Sequence, residues 1–259
     1  MRMSARATIY VIRGSHACRT GMLLLDHKGI DYRVVTLPTG PHPQLVRALG
    51  FPGRSAGRKL DGASSPVLAS MDRFGTVPAV KVDGKRVQTN LALIDWLETE
   101  HPEPPLFPAE PSRRGEVEQA LHWGDDVLQM SARRLVFAAA LRSPDGLAGR
   151  GSDGRLGPLL ARNDAVRGMI SQVAGRIVFR SPPAREQALS DAMPALYDRV
   201  DEWIGAGVLN GPELNAADLM IVTSLALLCY VPAQRDEIAR RPCGALVDRV
   251  LPEPVAAAS

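Results

Sequence analysis

The stretch TVPAVKVDGKRVQTNLALIDWL, residues 76–97, decides the fold. Two short runs that contain valine flank Asp83-Gly84, a residue pair typical of a tight hairpin turn, so the chain on either side is predicted to form two antiparallel strands. The first of these strands opens with Pro78. Because proline removes a ladder donor, its place here indicates either an edge strand or a cis peptide bond between Val77 and Pro78.

The same stretch continues into a helix. Residues 90–102 carry apolar side chains at helical spacing, with Asn90 as the predicted N-cap and Pro102 closing the end. Upstream, residues 7–12 and 30–37 are short runs rich in β-branched residues and are predicted to be strands. The segment GSHACRTGMLLLDHKG between them predicts a loop and a helix, and this β–α–β order implies a parallel pair of strands.

Composition shifts divide the chain into two predicted domains. An α/β domain spans residues 7–102 and contains a glycine- and serine-rich insert at 54–75. The linker at 103–111 is proline-rich and cannot continue a helix. Residues 112–250 show helical spacing without the alternation of strands, so they are predicted to be all-helical, with a tail at 251–259.

Within the second domain, the pattern of apolar residues predicts helices at 112–141, 159–175, 184–205, 216–231 and 234–250. Asn215 precedes the most apolar of these helices, and Asp218 follows three residues later, which is a variant of the capping box. This pattern predicts a stable start to a buried helix rather than a catalytic site. The three tryptophans are interpreted as residues of the core or of the domain interface: Trp96, Trp123 and Trp203.

The composition excludes several classes of function. Of 259 residues, 45% are hydrophobic and 23% are charged, which is the balance of a globular protein. Basic and acidic residues are interleaved, giving a net charge of +3, and aromatic residues make up only 5%, so no nucleic-acid-binding surface is predicted. Three cysteines are too few for a disulfide framework or a zinc cluster. The most apolar run is shorter than the roughly 20 residues of a membrane span, so a cytoplasmic protein is expected.

The order β–α–β–α–β–β–α, the TVPAV that opens the third strand and the helical second half resemble a cytosolic glutathione S-transferase. Four stretches carry the resemblance: YVIRGSHACR, KGIDYRVVTLP, TVPAVKVDGKRVQTNLALIDWL and LNAADLMIVTSLALL. It implies a thioredoxin-like N-terminal domain, an all-α C-terminal domain and a homodimer. It also implies glutathione as cosubstrate, with no other bound cofactor or metal, and a small hydrophobic electrophile held between the domains near GSHACR.

The resemblance assigns roles to residues of three loops. Ser15 lies where this family keeps its catalytic serine or cysteine, and its hydroxyl is expected to donate a hydrogen bond to the thiolate of the bound thiol. A cis bond at Val77-Pro78 would leave backbone groups to pair with the tripeptide. Thr89 and Asn90, at the start of a helix, match the positions that bind the γ-glutamyl carboxylate, although Asn replaces the usual Ser.

Four neighbouring residues are left with two interpretations each. His42 could reach the glycyl carboxylate or be solvated at a helix start, and His16 could donate to the sulfur or be a solvated loop residue. Arg19 could face the sulfur or point to solvent. Cys18 fits a small buried hydrophobic residue, or a redox cysteine.

Three functions follow from these residues. The first is an enzyme that adds the sulfur of glutathione, or of a related thiol, to an electrophile. The second is a glutathione transferase-like protein that only binds ligands or partners, which Asn90 and the insert at 54–75, a surface loop or a flap, both favour. The third, a thiol–disulfide oxidoreductase using Cys18, is the weakest, because the attacking position holds Ser15 and a hydroxyl cannot form a mixed disulfide.

Overall fold

The computed structural model describes residues 7–52, 77–142, 156 and 186–252. In the first half of the chain, four short strands form one mixed sheet in the order β2-β1-β3-β4. The strands are β1 (Ala7–Val11), β2 (Tyr32–Thr36), β3 (Ala79–Val82) and β4 (Lys85–Gln88). β1 runs parallel to β2 and antiparallel to β3, which pairs antiparallel with β4. The predicted β–α–β unit and the predicted hairpin are both confirmed.

The turn of the hairpin explains its sequence. Asp83 has φ of 47° and Gly84 has φ of 79°. Positive φ at both central residues defines the type I′ turn, whose twist matches that of the flanking strands. The Asp-Gly pair therefore sets the register in which Val82 faces Lys85.

Three helices accompany the sheet: α1 (His16–His27), α2 (His42–Ala48) and α3 (Asn90–Glu100). α1 ends where Gly29 adopts φ of 62°, a conformation that glycine takes at low cost. α1 also lies directly on the start of β3, because a Cβ atom added at Gly21 would lie 3.1 Å from the ring of Pro78. A larger residue at this position would require Pro78 or α1 to shift by a few tenths of an ångström.

The start of α3 corrects one prediction. The N-cap is Thr89, whose Oγ1 accepts a hydrogen bond from the Ala92 N–H at 3.3 Å, and Asn90 is the first helical residue. Asn90 does not cap the helix because its side chain is used elsewhere: its Nδ2 donates to the carbonyl oxygen of Ala17 at 3.0 Å. The asparagine thus connects the start of α3 to the first turn of α1.

The described residues of the second half form helices joined by turns and contain no strand. Its helices are α4 (Pro111–Trp123), α5 (Gln129–Arg142), α6 (Glu186–Gly205), α7 (Ala216–Leu228), α8 (Pro232–Ile238) and α9 (Pro242–Val250). A π-helical turn, Gly124–Leu128, joins α4 to α5. The rings of Trp123 and Trp203 pack edge to face with centroids 5.1 Å apart, which places both in the packing of this half.

The prediction of one helix at 234–250 is wrong. The chain forms two helices there, because Pro242 cannot donate a helical hydrogen bond and instead begins α9. Gly244 then packs so tightly that an added Cβ would lie 2.3 Å from the carbonyl oxygen of Ile238. The predicted helix at 159–175 and the insert at 54–75 lie outside the described residues.

α7 is the centre of the helical half. Every one of its residues is buried, and its start is the predicted capping box: Asn215 Oδ1 accepts from the Asp218 N–H, and Asp218 Oδ2 accepts from the Asn215 N–H. Asp218 Oδ1 also accepts from the Asn210 N–H at 2.7 Å, although burial raises the pKa of this carboxyl group. None of the helices in the described ranges combines the length and the apolar character needed to cross a membrane.

The two halves meet where α1 packs on α7. The hydroxyl oxygens of Thr20 and Thr223 are 2.8 Å apart across this contact. At the other end of α1, Lys28 Nζ donates to the carbonyl oxygens of Pro102, at 3.2 Å, and Pro104, at 2.6 Å. The linker is therefore tied to α1 before the chain enters the helical half.

Candidate functional site

The loops that were predicted to bind a thiol meet at one edge of the sheet. Tyr10 faces Ala79 in the antiparallel β1–β3 pair, so continuing this register by two residues brings Ile12 opposite Val77. On the other side of β3, the Thr89 N–H donates to the carbonyl oxygen of Pro78 at 3.2 Å. The loop before α1, the start of β3 and the start of α3 are consequently neighbours.

The peptide bond between Val77 and Pro78 is cis, which was predicted as the alternative to an edge strand. The first paired residue of β3 is Ala79, which faces Gln88 of β4. Val77 therefore lies two residues before the paired part of the strand. The Val77 side chain is buried. The backbone of Val77 is therefore placed at the edge of the sheet by a side chain that anchors it to the core.

Ser15 is the N-cap of α1. Its Oγ accepts a hydrogen bond from the Cys18 N–H at 3.2 Å, which fixes the oxygen at the amino end of the helix. This bond uses a lone pair of the oxygen, so the hydroxyl hydrogen can still donate to an anion. The first turn of α1 contains no acidic residue, so the positive end of the helix dipole is not neutralised there.

Cys18 is buried in the first turn of α1, as predicted for a small hydrophobic residue. Burial raises the pKa of its thiol to about 11, and this effect outweighs the Ser15 hydroxyl, the Ile12 backbone and the charge of Arg133, all of which lower it. At neutral pH the thiol is therefore protonated. A protonated and buried thiol is a poor nucleophile, which argues against the redox interpretation.

The two other polar neighbours on α1 differ from each other. His16 is only 3% exposed and is the first residue of the helix, so the interpretation as a solvated loop histidine is wrong. Arg19 is partly buried. Burial and the Asp26 carboxylate raise the pKa of the Tyr32 hydroxyl on β2 to about 12, and the charge of Arg19 opposes this rise.

Asn90 is buried at 5% exposure next to the first turn of α1. Its Nδ2 is bonded to Ala17, whereas its Oδ1 is buried and has no hydrogen-bond partner among the residues that the structure describes. Thr89 has φ of 77°, outside the range of most non-glycine residues. Thr89 and Asn90, the positions expected to bind the γ-glutamyl carboxylate, therefore lie near the first turn of α1. The Asn90 amide nitrogen is already used in its hydrogen bond to Ala17.

His42 begins α2 and is buried, with 3% of its surface exposed. Its Nδ1 accepts a hydrogen bond from the Gly40 N–H at 3.3 Å, so the neutral ring carries its proton on Nε2. Burial lowers the pKa of the ring to about 4. His42 is accordingly a neutral hydrogen-bond donor at neutral pH and not a cation.

The buried His42 predicts a specific loss of stability in acid. The unfolded side chain titrates near 6.5 and the folded one near 4, so between these values the unfolded chain binds more protons at this site. The contribution of His42 to the free energy of unfolding is therefore fully present above the upper value. It falls as the pH decreases through this window, by about 2 kcal/mol at about pH 5. Urea unfolding at neutral and acidic pH measures the loss. The His42→Asn protein keeps an acceptor for the Gly40 N–H, and its free energy of unfolding should decrease less between neutral and acidic pH.

The exposed His122 on α4 provides the matched control. His122→Asn should leave the pH dependence of unfolding equal to that of the unchanged protein. If the His42→Asn protein loses as much stability in acid as the unchanged protein, the loss cannot be assigned to His42.

Sequence reasoning did not single out Arg133 on α5. Its positive charge lowers the pKa of the Cys18 thiol, so the helical half contributes a cation to the surroundings of the Ser15 cap. Nothing in the local sequence marks this residue, because arginine is common on helices and the contact joins residues far apart in the chain.

A cavity of about 590 Å³ lies away from these residues. It is formed by the linker, by α4 and by the loop before α7, with Leu106, Phe107, Val117 and Val208 among its lining residues. Ser15, Val77 and Asn90 do not contribute to it. This cavity is therefore separate from the expected pocket for an electrophile beside GSHACR.

Comparison with known proteins identifies the fold. No protein-family model and no curated protein matches the sequence. Solved structures do match. A glutathione S-transferase from Ceriporiopsis subvermispora, in complex with glutathione, is 16% identical with a TM-score of 0.58, and the match covers 98% of this chain and 99% of that one.

Two further structures cover most of the chain. A GST-like protein from Pseudomonas syringae is 16% identical with a TM-score of 0.57, covering 96% of this chain and 67% of that one. A maleylacetoacetate isomerase from Anaeromyxobacter dehalogenans, with bound dicarboxyethyl glutathione and citrate, is 17% identical with a TM-score of 0.51, covering 95% and 90%. The chain therefore has the glutathione transferase fold, a thioredoxin-like domain followed by an all-helical domain.

Proposed function

We propose that this protein binds glutathione, or a related low-molecular-weight thiol, and adds its sulfur to a small hydrophobic electrophile. One observation carries the proposal: the Ser15 hydroxyl is held at the amino end of α1, on the same edge of the sheet as the cis bond before Pro78. A hydroxyl and a helix N-terminus both favour an anion at this point. The anion in this proposal is the thiolate of the bound cosubstrate.

Ser15 acts in this mechanism without covalent catalysis. The Cys18 N–H holds its oxygen, and the hydroxyl hydrogen donates to the sulfur. Because the hydrogen bond is stronger to the thiolate than to the thiol, it lowers the pKa of the thiol, and each unit corresponds to about 1.36 kcal/mol. The thiol releases its proton to solvent. The sulfur lone pair then forms the carbon–sulfur bond, while an electron pair at the electrophilic carbon leaves with a departing group or moves onto an adjacent electron-withdrawing group.

The remaining contacts of the tripeptide follow from the edge of the sheet. In this proposal the backbone of Val77 pairs with the cysteinyl residue, and the start of α3 at Thr89 and Asn90 binds the γ-glutamyl carboxylate. His42 can give the glycyl carboxylate one hydrogen bond from Nε2, but no ion pair, since its pKa is near 4. The assignment of His42 is therefore the weakest of these contacts.

The solved structures support this choice of ligand. Two proteins with this fold hold glutathione or dicarboxyethyl glutathione. By analogy with such proteins, we infer that this chain works as a cytoplasmic homodimer and uses glutathione as cosubstrate without a further cofactor.

A second function has one observation in its favour. The Asn90 amide nitrogen already donates to Ala17, so it offers a ligand less than the serine usual at this position. A protein that only binds ligands or partners through this fold would fit that arrangement. The two functions differ in one measurable property, which is turnover of the electrophile.

Titration with glutathione tests the proposal. We expect saturable quenching or enhancement of tryptophan fluorescence, because Trp96 lies on α3, whose first residue is at the candidate site. Conjugation of glutathione to chlorodinitrobenzene, a neutral electrophile, measures turnover in the same sample. Binding with turnover supports the enzyme, and binding without turnover supports the second function. The absence of both contradicts a glutathione site.

A further inference from the structure

The first turn of α1 lies against the carboxyl-terminal half of α7. At one end of the contact, the Ala216 N–H at the start of α7 donates to the carbonyl oxygen of Leu106, close to the linker that Lys28 holds. Farther along, Thr20 meets Thr223. The two helices therefore run in opposite directions, and the Ser15 end of α1 lies beyond Thr223 on α7.

The start of α5 reaches the same part of α7. A Cβ atom added at Gly124 would lie 2.9 Å from Ile221, and Gln129 Nε2 lies 3.8 Å from the sulfur of Met220. Met220 is one helical turn from Thr223. Arg133 follows Gln129 by four residues and shares its face of α5, so it belongs to the side of α5 that packs toward α7.

The electrostatics agree with this packing. Burial raises the pKa of the Cys18 thiol, and the Ser15 hydroxyl, the Ile12 backbone and, least of the three, the Arg133 charge oppose this rise. Ile12 is the residue that the sheet register brings opposite Val77. Because α1 and α5 pack on the same part of α7, the side of α5 that carries Arg133 is brought toward the first turn of α1, at the edge of the sheet where the thiol site is proposed.

We propose that Arg133, supplied by the helical domain, is a second group that stabilises the thiolate of the bound cosubstrate, together with Ser15. This inference rests on the proposed function. Arg133 contributes its charge, whereas Ser15 contributes a hydrogen bond at the sulfur. The thiolate site is then complete only when the two domains are packed together.

The charged and titratable groups around the site come from several elements. α1 contributes His16, Cys18 and Arg19, and α5 contributes Arg133 and Arg134. The π-helical turn before α5 contributes Asp125 and Asp126, and Asp125 Oδ1 accepts a hydrogen bond from Gln129 Nε2 at 3.1 Å. On α2 the buried ring of His42 is neutral. In α7 the only charged residue is Asp218, in the first turn of the helix and five residues before Thr223. Of the arginines, it is Arg133 whose charge acts on a sulfur at this helix terminus.

Arg133→Met tests the inference with chlorodinitrobenzene as the electrophile, in a reaction that forms a carbon–sulfur bond as chloride leaves with the electron pair. We expect the apparent pKa of the bound thiol to rise by about one unit, as measured from the pH profile of kcat/KM for the electrophile at saturating glutathione. Below that pKa the rate should then be approximately tenfold lower than in the unaltered protein. The pKa obtained by following the ultraviolet absorbance of the thiolate against pH, in the complex with glutathione alone, should rise by the same amount. Arg133→Lys should keep most of the effect.

Arg134→Met is the matched control, because Arg134 is also partly buried on α5 but points about 100° away around the helix. It should leave the profile unchanged. An unchanged profile for Arg133→Met, with the unaltered protein active, overturns this inference alone. An unaltered protein that neither binds nor turns over glutathione overturns the proposed function instead. If Arg133→Met does not fold, Arg133→Gln replaces it with the same expected shift.

Discussion

Replacing Ser15 by alanine is expected to lower kcat/KM for conjugation by about 10- to 100-fold near neutral pH, the loss of one hydrogen bond to a charged group. The Ser15 hydroxyl is placed at the amino end of α1 by the Cys18 N–H, and the proposed charge of Arg133 does not replace its hydrogen bond at the sulfur. The apparent pKa of the bound thiol should rise. Affinity for glutathione should change much less, because many contacts of the tripeptide remain. Conjugation rates across about pH 6 to 8 measure the effect.

Two variants separate the hydroxyl from the helix cap. Alanine also removes the cap of α1, which costs about 1 kcal/mol of stability. Ser15→Asn restores a capping acceptor without a hydroxyl, whereas Ser15→Thr keeps both. We therefore expect Ser15→Asn to recover stability but not activity, and Ser15→Thr to recover both. Recovery of conjugation by Ser15→Asn would show that only the cap matters, and undiminished conjugation by Ser15→Ala would remove Ser15 from the mechanism.

The local features of the fold could be predicted because short sequences determine them. The turn at Asp83-Gly84 requires positive φ at two successive residues, which few residue pairs tolerate. The capping box of Asn215 and Asp218 satisfies helix N–H groups within four residues. In each case the partners lie close together along the chain, so the pattern alone indicates the structure.

Features that depend on distant partners were missed or assigned wrongly. Asn90 is as good an N-cap by type as Thr89, but its amide is bonded to Ala17, on a helix more than 70 residues earlier. The sequence leaves His16 as either a donor to the sulfur or a solvated loop residue, and the packing of α1 buries it. Arg133 acts across the domain boundary. Local propensity carries no information about these contacts, and tertiary packing decides them.

The predicted site depends on a buried ion pair at the far end of α1. The Lys28 side chain is fully buried, and its Nζ donates to Glu98 Oε1 at 2.8 Å in addition to the two proline carbonyls of the linker. Glu98 Oε1 also accepts from the Leu106 N–H at 2.9 Å. One ammonium group thus joins α1, α3 and the linker, and so holds α1 in position between the sheet and α7.

Lys28→Met is expected to destabilise the protein by about 3–5 kcal/mol, because it leaves the partly buried Glu98 carboxylate and two carbonyl oxygens without their donor. Methionine keeps the apolar part of the side chain, so the loss reports on the charge. Chemical unfolding followed by circular dichroism measures it. Lys85→Met is the matched control: Lys85 pairs with Glu100 at an exposed position, and its loss should cost no more than about 1 kcal/mol. Equal losses in the two variants would contradict the role of Lys28, and with it the view that α1 is held on α7 from its carboxyl end.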